Sequence, residues 1–129
     1  MLNAKVREQI ALAVAEMNYC GYCLSAHTYI GGKVGLNENE ISLARNVEAP
    51  DEHSAAILNL ARSIVVQRGE LSEAEFQAAR TANLTDAEIV EIVANVAVNI
   101  LTNYLNHVAQ TVVDFPEIKP GVGEATAKA

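Results

Sequence analysis

The sequence has no tryptophan, two phenylalanines, four tyrosines and only three prolines. Aromatics are scarce, Ala, Leu, Glu and Asn are abundant, and no stretch alternates with the period of a half-buried strand, so the chain reads as helical. Basic residues are few as well: nine Lys and Arg stand against sixteen Asp and Glu, a formal charge of −7. Nucleic acid and anionic lipid both ask for a basic footprint, so neither is an expected partner. The most apolar stretch, around 86–101, is broken by Asp86, Glu88, Glu91, Asn95 and Asn99, and no membrane span is expected from it. The opening MLNAKVREQI lacks the apolar block of a secretory signal. A cytoplasmic location with reduced resting thiols is the default that follows.

What is present is a chain of 129 residues, half of them apolar, with its seven glycines mostly between periodic stretches. That is the size of one domain with a real core, and not the composition of a disordered segment.

Cysteine is the informative scarcity. Both copies lie in EMNYCGYCLSAHTYI, residues 16–30, as Cys20 and Cys23, with His27 four positions after the second. On a helix these three side chains fall within about 60° of arc, and the sulfurs are close enough for a disulfide. Cys23 and His27 are an i, i+4 pair, so the imidazole is in range to take or return a thiol proton. Asn18 is a good helix cap, which would set Cys20 in the first turn, where the positive helix end favours a thiolate.

The rest of the chain divides into helices. Leu2, Val6, Ile10, Ala13, Val14 and Met17 form an apolar stripe over 2–17, with Glu8 off it. A short break at Asn18-Tyr19 implies an antiparallel hairpin. Glu8 precedes Asn18 by about 15 Å of helix and His27 follows it by about 13.5 Å. These two are therefore expected level with each other, while Glu16 is level with Cys20. A carboxylate beside His27 would fix its tautomer and raise its basicity. Helix two should stop at Gly31-Gly32 to Gly35. Capping boxes at Asn37/Glu40, Ser72/Glu75 and Thr85/Glu88 open helices near 38–47, 73–82 and 86–112. Pro50 suits the first turn of a helix ending at Gly69. The expected fold is all-α with about six helices, a domain over 1–118 and a flexible tail over 119–129.

The cysteine motif has three readings: dithiol–disulfide chemistry, metal binding by two thiolates, an imidazole and a carboxylate, or two packed core thiols. Structural zinc usually ties distant segments, whereas three of these ligands share one helix. A non-catalytic oligomeric scaffold whose Cys/His cluster binds metal or senses redox state is thus the rival to an enzyme.

The spacing Glu8-x11-Cys20-x2-Cys23-x3-His27 resembles that of the AhpD-like (alkylhydroperoxidase D) branch of the carboxymuconolactone decarboxylase family. Thr28 to Gly35 and the later LTDAEIVEIVANVAVNILTNYLNHVAQT resemble the same family's core, so the likeness spans about residues 5–118. It implies an all-α homo-oligomer, trimer or hexamer, that reduces organic hydroperoxides and is recycled by a dithiol donor such as a lipoyl protein, without a cofactor. By position, Glu8 and His27 would be the proton relay and Cys20 and Cys23 the redox pair. Some members carry histidine where this chain has Tyr22, so the relay would lean on Glu8. The family's decarboxylases lack the cysteine pair, and lactone decarboxylation is not expected. Little chain precedes Glu8, so the walls of the substrate pocket are not legible. Between the sulfurs, the helix end favours Cys20 and the nearer imidazole favours Cys23, and the reading leans to Cys23 as the attacking thiol.

Other residues read more plainly. Asn95, Asn99, Asn103 and Asn106 make a polar line on an apolar helix, bonded to a partner or to the loop near the motif, or else solvated. His107 reads as structural, His53 as exposed, Tyr19 and Tyr29 as pocket walls, and Glu70, Glu73 and Glu75 as a solvated helix start.

Overall fold

A computed structural model of the chain describes residues 1–122. It is all-α, with six helices among the described residues: α1 Ala4–Met17, α2 Gly21–Lys33, α3 Glu38–Arg45, α4 Glu52–Gln67, α5 Glu73–Thr81 and α6 Asp86–Ala109. Of the stretch expected as a tail, 123–129 lies outside the described residues.

Helix starts follow side-chain chemistry. Asn37, Ser72 and Thr85 each accept the N–H of a Glu three residues on, and that Glu reaches back to the cap's own N–H. Such reciprocal bonds satisfy donors that a helix end otherwise leaves unpaired. The fourth helix departs from expectation. Pro50 lies before the helix, and Asp51 is the cap, its carboxylate accepting the Ser54 N–H. A side-chain acceptor at Asp51 closes the end that proline could only tolerate. Arg68 and Gly69 then end α4 with positive φ.

The centre of the molecule is α1. A single apolar stripe was expected, yet every residue from Gln9 to Glu16 is buried, because α2, α3, α4 and α6 all pack on this helix. Ala11, Ala13 and Ala15 leave room for four neighbours to approach closely. Leu12, Leu24, Leu58, Ile10, Ile57 and Ile92 fill the spaces between them and are fully buried. α5 sits outside this group, against α4.

α6 differs from its expectation on one point. By length and composition alone it is apolar enough to cross a bilayer, with a window of mean hydropathy 1.2 that is only 22% buried. Its acidic residues, Asp86, Glu88 and Glu91, are gathered at one end, so 92–109 carries none of the interruption they were expected to provide. Val90, Leu101, Tyr104, Leu105 and Val108 are left exposed.

Leu12 touches the heart of this arrangement and is 0% exposed. Leu12→Ala should lower unfolding free energy by about 2–5 kcal/mol. Urea unfolding measures this; a loss well below that range would mean the neighbours of α1 close around the gap.

Candidate active site

Three residues reverse the chain between α1 and α2. The N–H of Asn18 donates back to Glu16 and Val14, closing α1. Tyr19 takes a left-handed φ of 57°, which costs a non-glycine residue about 1–2 kcal/mol. Cys20, not Asn18, is the cap of α2: its Sγ accepts the Cys23 N–H at 3.2 Å. The Asn18 side chain is engaged elsewhere, its Nδ2 donating to Asn103 Oδ1 at 2.9 Å. His107 Nε2 donates to the Asn18 carbonyl at 2.8 Å, an acceptor-only partner that fixes where the ring proton sits. α6 therefore clamps the turn from which the motif helix starts.

Glu8 and His27 meet across the hairpin, with His27 Nδ1 and Glu8 Oε2 2.7 Å apart. A carboxylate there holds the proton on Nδ1 and leaves Nε2 for chemistry. Arg7, Glu8, His27, Asn99 and Thr102 line a shallow groove of about 260 Å³ beside the pair, and neither cysteine lines it.

Both thiols are free, and both are buried: Cys20 is 2% and Cys23 3% exposed. Burial, joined by the hydrogen bond to Cys23, pushes the Cys20 thiol up from 9.0 to about 12, against a smaller downward pull from the Cys23 N–H. The expectation that the helix start would favour a thiolate at Cys20 has the wrong sign. A helix end offers an ion about 0.3–1 kcal/mol, while desolvating a buried charge costs several kcal/mol. Cys23 Sγ accepts a donor from another helix, Asn106 Nδ2 of α6 at 3.3 Å.

His27 makes no hydrogen bond to either sulfur among the described residues, so the direct exchange of a proton expected for the i, i+4 pair is not set up. Residues four apart differ by about 40° around a helix, enough for Cys23 to meet α6 while His27 meets α1. For the same reason the four motif side chains do not gather: among the described residues no group of three or more His, Cys, Asp and Glu could hold a metal ion.

Beyond α6 the chain returns over α2. Phe115 packs edge-on to Tyr22, with centroids 6.0 Å apart, and tilted against Tyr29 at 5.6 Å. The Ile118 N–H donates to Ser25 Oγ at 2.8 Å. Burial, and then the charge and hydrogen bond of Asp114, push the Tyr22 phenol up. Glu16 is the latch: its carboxylate accepts from Arg45 Nε at 3.0 Å, from the Val122 N–H at 2.9 Å and from the Gly121 N–H. Arg45 in turn donates to the Lys119 carbonyl at 3.0 Å.

The asparagine line faces inward. Asn99 and Asn103 are buried, and Asn103 and Asn106 bond to the motif turn and to Cys23. Thr28 Oγ1 and Asn103 Nδ2 are buried without a hydrogen-bond partner among the described residues. His107 is structural and exposed, and His53 is exposed and paired with Glu88 at 2.8 Å. Arg45 and the latching role of Glu16 were not legible as site features, whereas Asn106 was legible only as part of a polar line whose partners stayed open. Spacing was the only available signal for Asn106, which sits where a helical period turns the amide line inward.

The model of the carboxymuconolactone decarboxylase family matches residues 1–67, just over half of the chain. No curated protein matches it in sequence. Among solved structures it is similar to an uncharacterized peroxidase-related protein from Silicibacter sp. TM1040, with a TM-score of 0.75 and 21% identity. The match covers 92% of this chain and 61% of that one, so the likeness is one of fold over part of a longer protein.

Two measurements check this geometry. Glu16→Ala removes the acceptor of the returning segment, at about 1.5–3 kcal/mol per bond to a charged group. Thiol modification of the reduced protein by an aromatic disulfide reagent should speed up about tenfold or more; an unchanged rate would mean the segment does not govern access. In the unfolded chain Cys20 ionises near 9.0, while the fold keeps it neutral to about 12. Its contribution is thus intact below pH 9.0 and lost as pH rises through about 12. Urea unfolding of the reduced protein should weaken more steeply across that window than unfolding of Cys20→Ser, and equal slopes would contradict the burial argument.

Proposed function

This chain belongs to the carboxymuconolactone decarboxylase family, and on that footing we propose that it is an AhpD-like thiol peroxidase that reduces organic hydroperoxides. The observation that carries this reading is one helix bearing two hydrogen-bonded cysteines at its start and, one turn further on, an imidazole held by a carboxylate. The likeness to the peroxidase-related protein from Silicibacter points the same way.

Cys23 is the attacking sulfur. Its partner keeps its proton, with burial pushing that thiol up to about 12. The Cys23 thiolate attacks the terminal peroxide oxygen: an S–O bond forms, the O–O bond breaks, and the leaving alkoxide takes a proton to become an alcohol. His27, oriented by Glu8, takes the Cys23 thiol proton on Nε2 through a water as the thiolate forms, and returns it to the alkoxide by the same route. Cys20 then attacks the Cys23 sulfenic acid. The S–S bond forms, the S–O bond breaks, and the Cys20 proton leaves with the hydroxyl as water. An external dithiol, such as the reduced lipoyl group the resemblance implies, restores both thiols by exchange and becomes a disulfide itself. Tyr22, pushed up by burial and Asp114, stays protonated at neutral pH and serves as a donor, leaving the relay to Glu8 and His27.

We infer that the working form is a homo-oligomer, trimer or hexamer, in the reducing cytoplasm. The support is the apolar face of α6, where Leu101, Leu105 and Val108 are 60% or more exposed.

The decisive experiment is peroxide treatment of the reduced protein followed by mass spectrometry. The parent should lose two hydrogens. Cys20→Ser should stop at a sulfenic acid that a nucleophilic trap captures, and Cys23→Ser should consume no peroxide. A captured sulfenic acid at residue 20 instead would reverse the assignment, and no reaction in the parent would end the peroxidase reading. Glu8→Gln should cut turnover about tenfold to a hundredfold while leaving the fold intact; unchanged turnover would remove Glu8 from the relay.

A further inference from the structure

We propose that Asn106 is a catalytic residue of this site: its side-chain amide holds the Cys23 sulfur and stabilises the negative charge that gathers there. The inference rests on the dithiol reading above and adds a group that neither the motif nor its spacing contains.

The geometry is specific. Asn106 Nδ2 lies 2.9 Å from the Thr102 carbonyl oxygen and 3.3 Å from Cys23 Sγ. A carbonyl can only accept, so the atom facing it is the NH₂ nitrogen and not the amide oxygen. The same nitrogen has a second hydrogen, and that one meets the sulfur. The Thr102 bond therefore sets the orientation in which Asn106 serves Cys23.

The chemistry gives the contact its purpose. A neutral thiol is a weak acceptor, whereas an anionic sulfur is a strong one, and hydrogen bonds to ions are about twice as strong as neutral ones. Cys23 Sγ accepts a side-chain donor from another helix, the Asn106 amide. Cys20 Sγ accepts from the backbone, the Cys23 N–H at 3.2 Å. The ionisable groups around Cys23 are Cys20, Tyr22 and His27 on its own element and Glu8 of α1 behind His27. His107 lies beside Asn106 on α6, and Asp114 of the returning segment lies behind Tyr22. No Lys or Arg donates to the sulfur among the described residues. A sulfur 3% exposed carries a charge only if dipoles replace the lost water, and Asn106 supplies one.

Asn106→Ala and the near-isosteric Asn106→Asp test this. The readout is the pH midpoint of thiolate absorbance in the reduced protein, with Cys23→Ser as the blank, alongside the bimolecular rate with cumene hydroperoxide. Asn106→Ala should raise the midpoint by about one pH unit, a tenfold loss of thiolate, and slow peroxide reaction about tenfold at neutral pH. Asn106→Asp, which sets a carboxylate against the sulfur, should raise the midpoint further and stands in if the alanine variant does not fold. Melting controls separate a merely structural role, which would lower Tm and leave the midpoint in place. The titration reads the sulfur directly. A raised midpoint supports the assignment even in a chain inert to peroxide, and an unchanged midpoint in a folded variant overturns it even in an active one.

Discussion

Between Met17 and Gly21 the chain has three residues in which to reverse direction, and that constraint fixes the relation of every chemical group in the molecule. A turn this short leaves two antiparallel helices one register, and that register makes Glu8 and His27 neighbours at 2.7 Å. Tyr19 accepts an unfavourable φ to make the reversal. The strain is offset from outside: α6 holds the turn through Asn103 and His107 on Asn18, and Glu16, the residue before Met17, binds the returning chain. The turn and the far end of the sequence thus depend on each other, and the start of the motif helix is supported by residues some 85 positions away.

Burial and reactivity oppose each other at the dithiol. Two thiols at 2% and 3% exposure are well placed to pack and badly placed to ionise. The helix end is too weak to reverse this for Cys20, whose sulfur accepts from the backbone. Cys23 sits one turn further in, where a side chain from another helix reaches its sulfur. The asymmetry between the sulfurs therefore arises from their tertiary neighbours and not from their order along the helix. In the same way, the segment that returns over α2 is held not by helix chemistry but by a carboxylate and an arginine.

What could be read from the sequence follows the range of each interaction. Capping boxes are local, three residues from end to end, and Asn37, Ser72 and Thr85 were all legible. The Glu8–His27 pair was legible because helix rise and a short turn give a distance without further knowledge of the fold. The cap of α2 was misread because Asn18 is the better capping residue by propensity, yet its side chain is claimed by Asn103 and a sulfur takes the role. The state of Cys20 was misread because desolvation depends on what covers a residue, and the packing of α2 among α1, α3 and α6 is not written in the motif. The inward turn of the asparagine line remained open for the same reason. An amide on an apolar helix looks alike from the sequence whether it faces water or a thiol.

The two sulfurs also order their own chemistry under the proposed reaction. Cys20 is held near 12 by burial, by its hydrogen bond to Cys23 and by the charge on Cys23. Under that reaction, oxidation of Cys23 to a sulfenic acid turns its sulfur from a nucleophile into an electrophile for Cys20. In the attack that forms the disulfide the Cys20 proton leaves with the departing hydroxyl, so no buried charge has to persist. Before oxidation, the same influences keep Cys20 from competing for peroxide. A pair of cysteines three residues apart is close enough for the second to act on the protonation of the first, which a pair tethered across a longer loop is not.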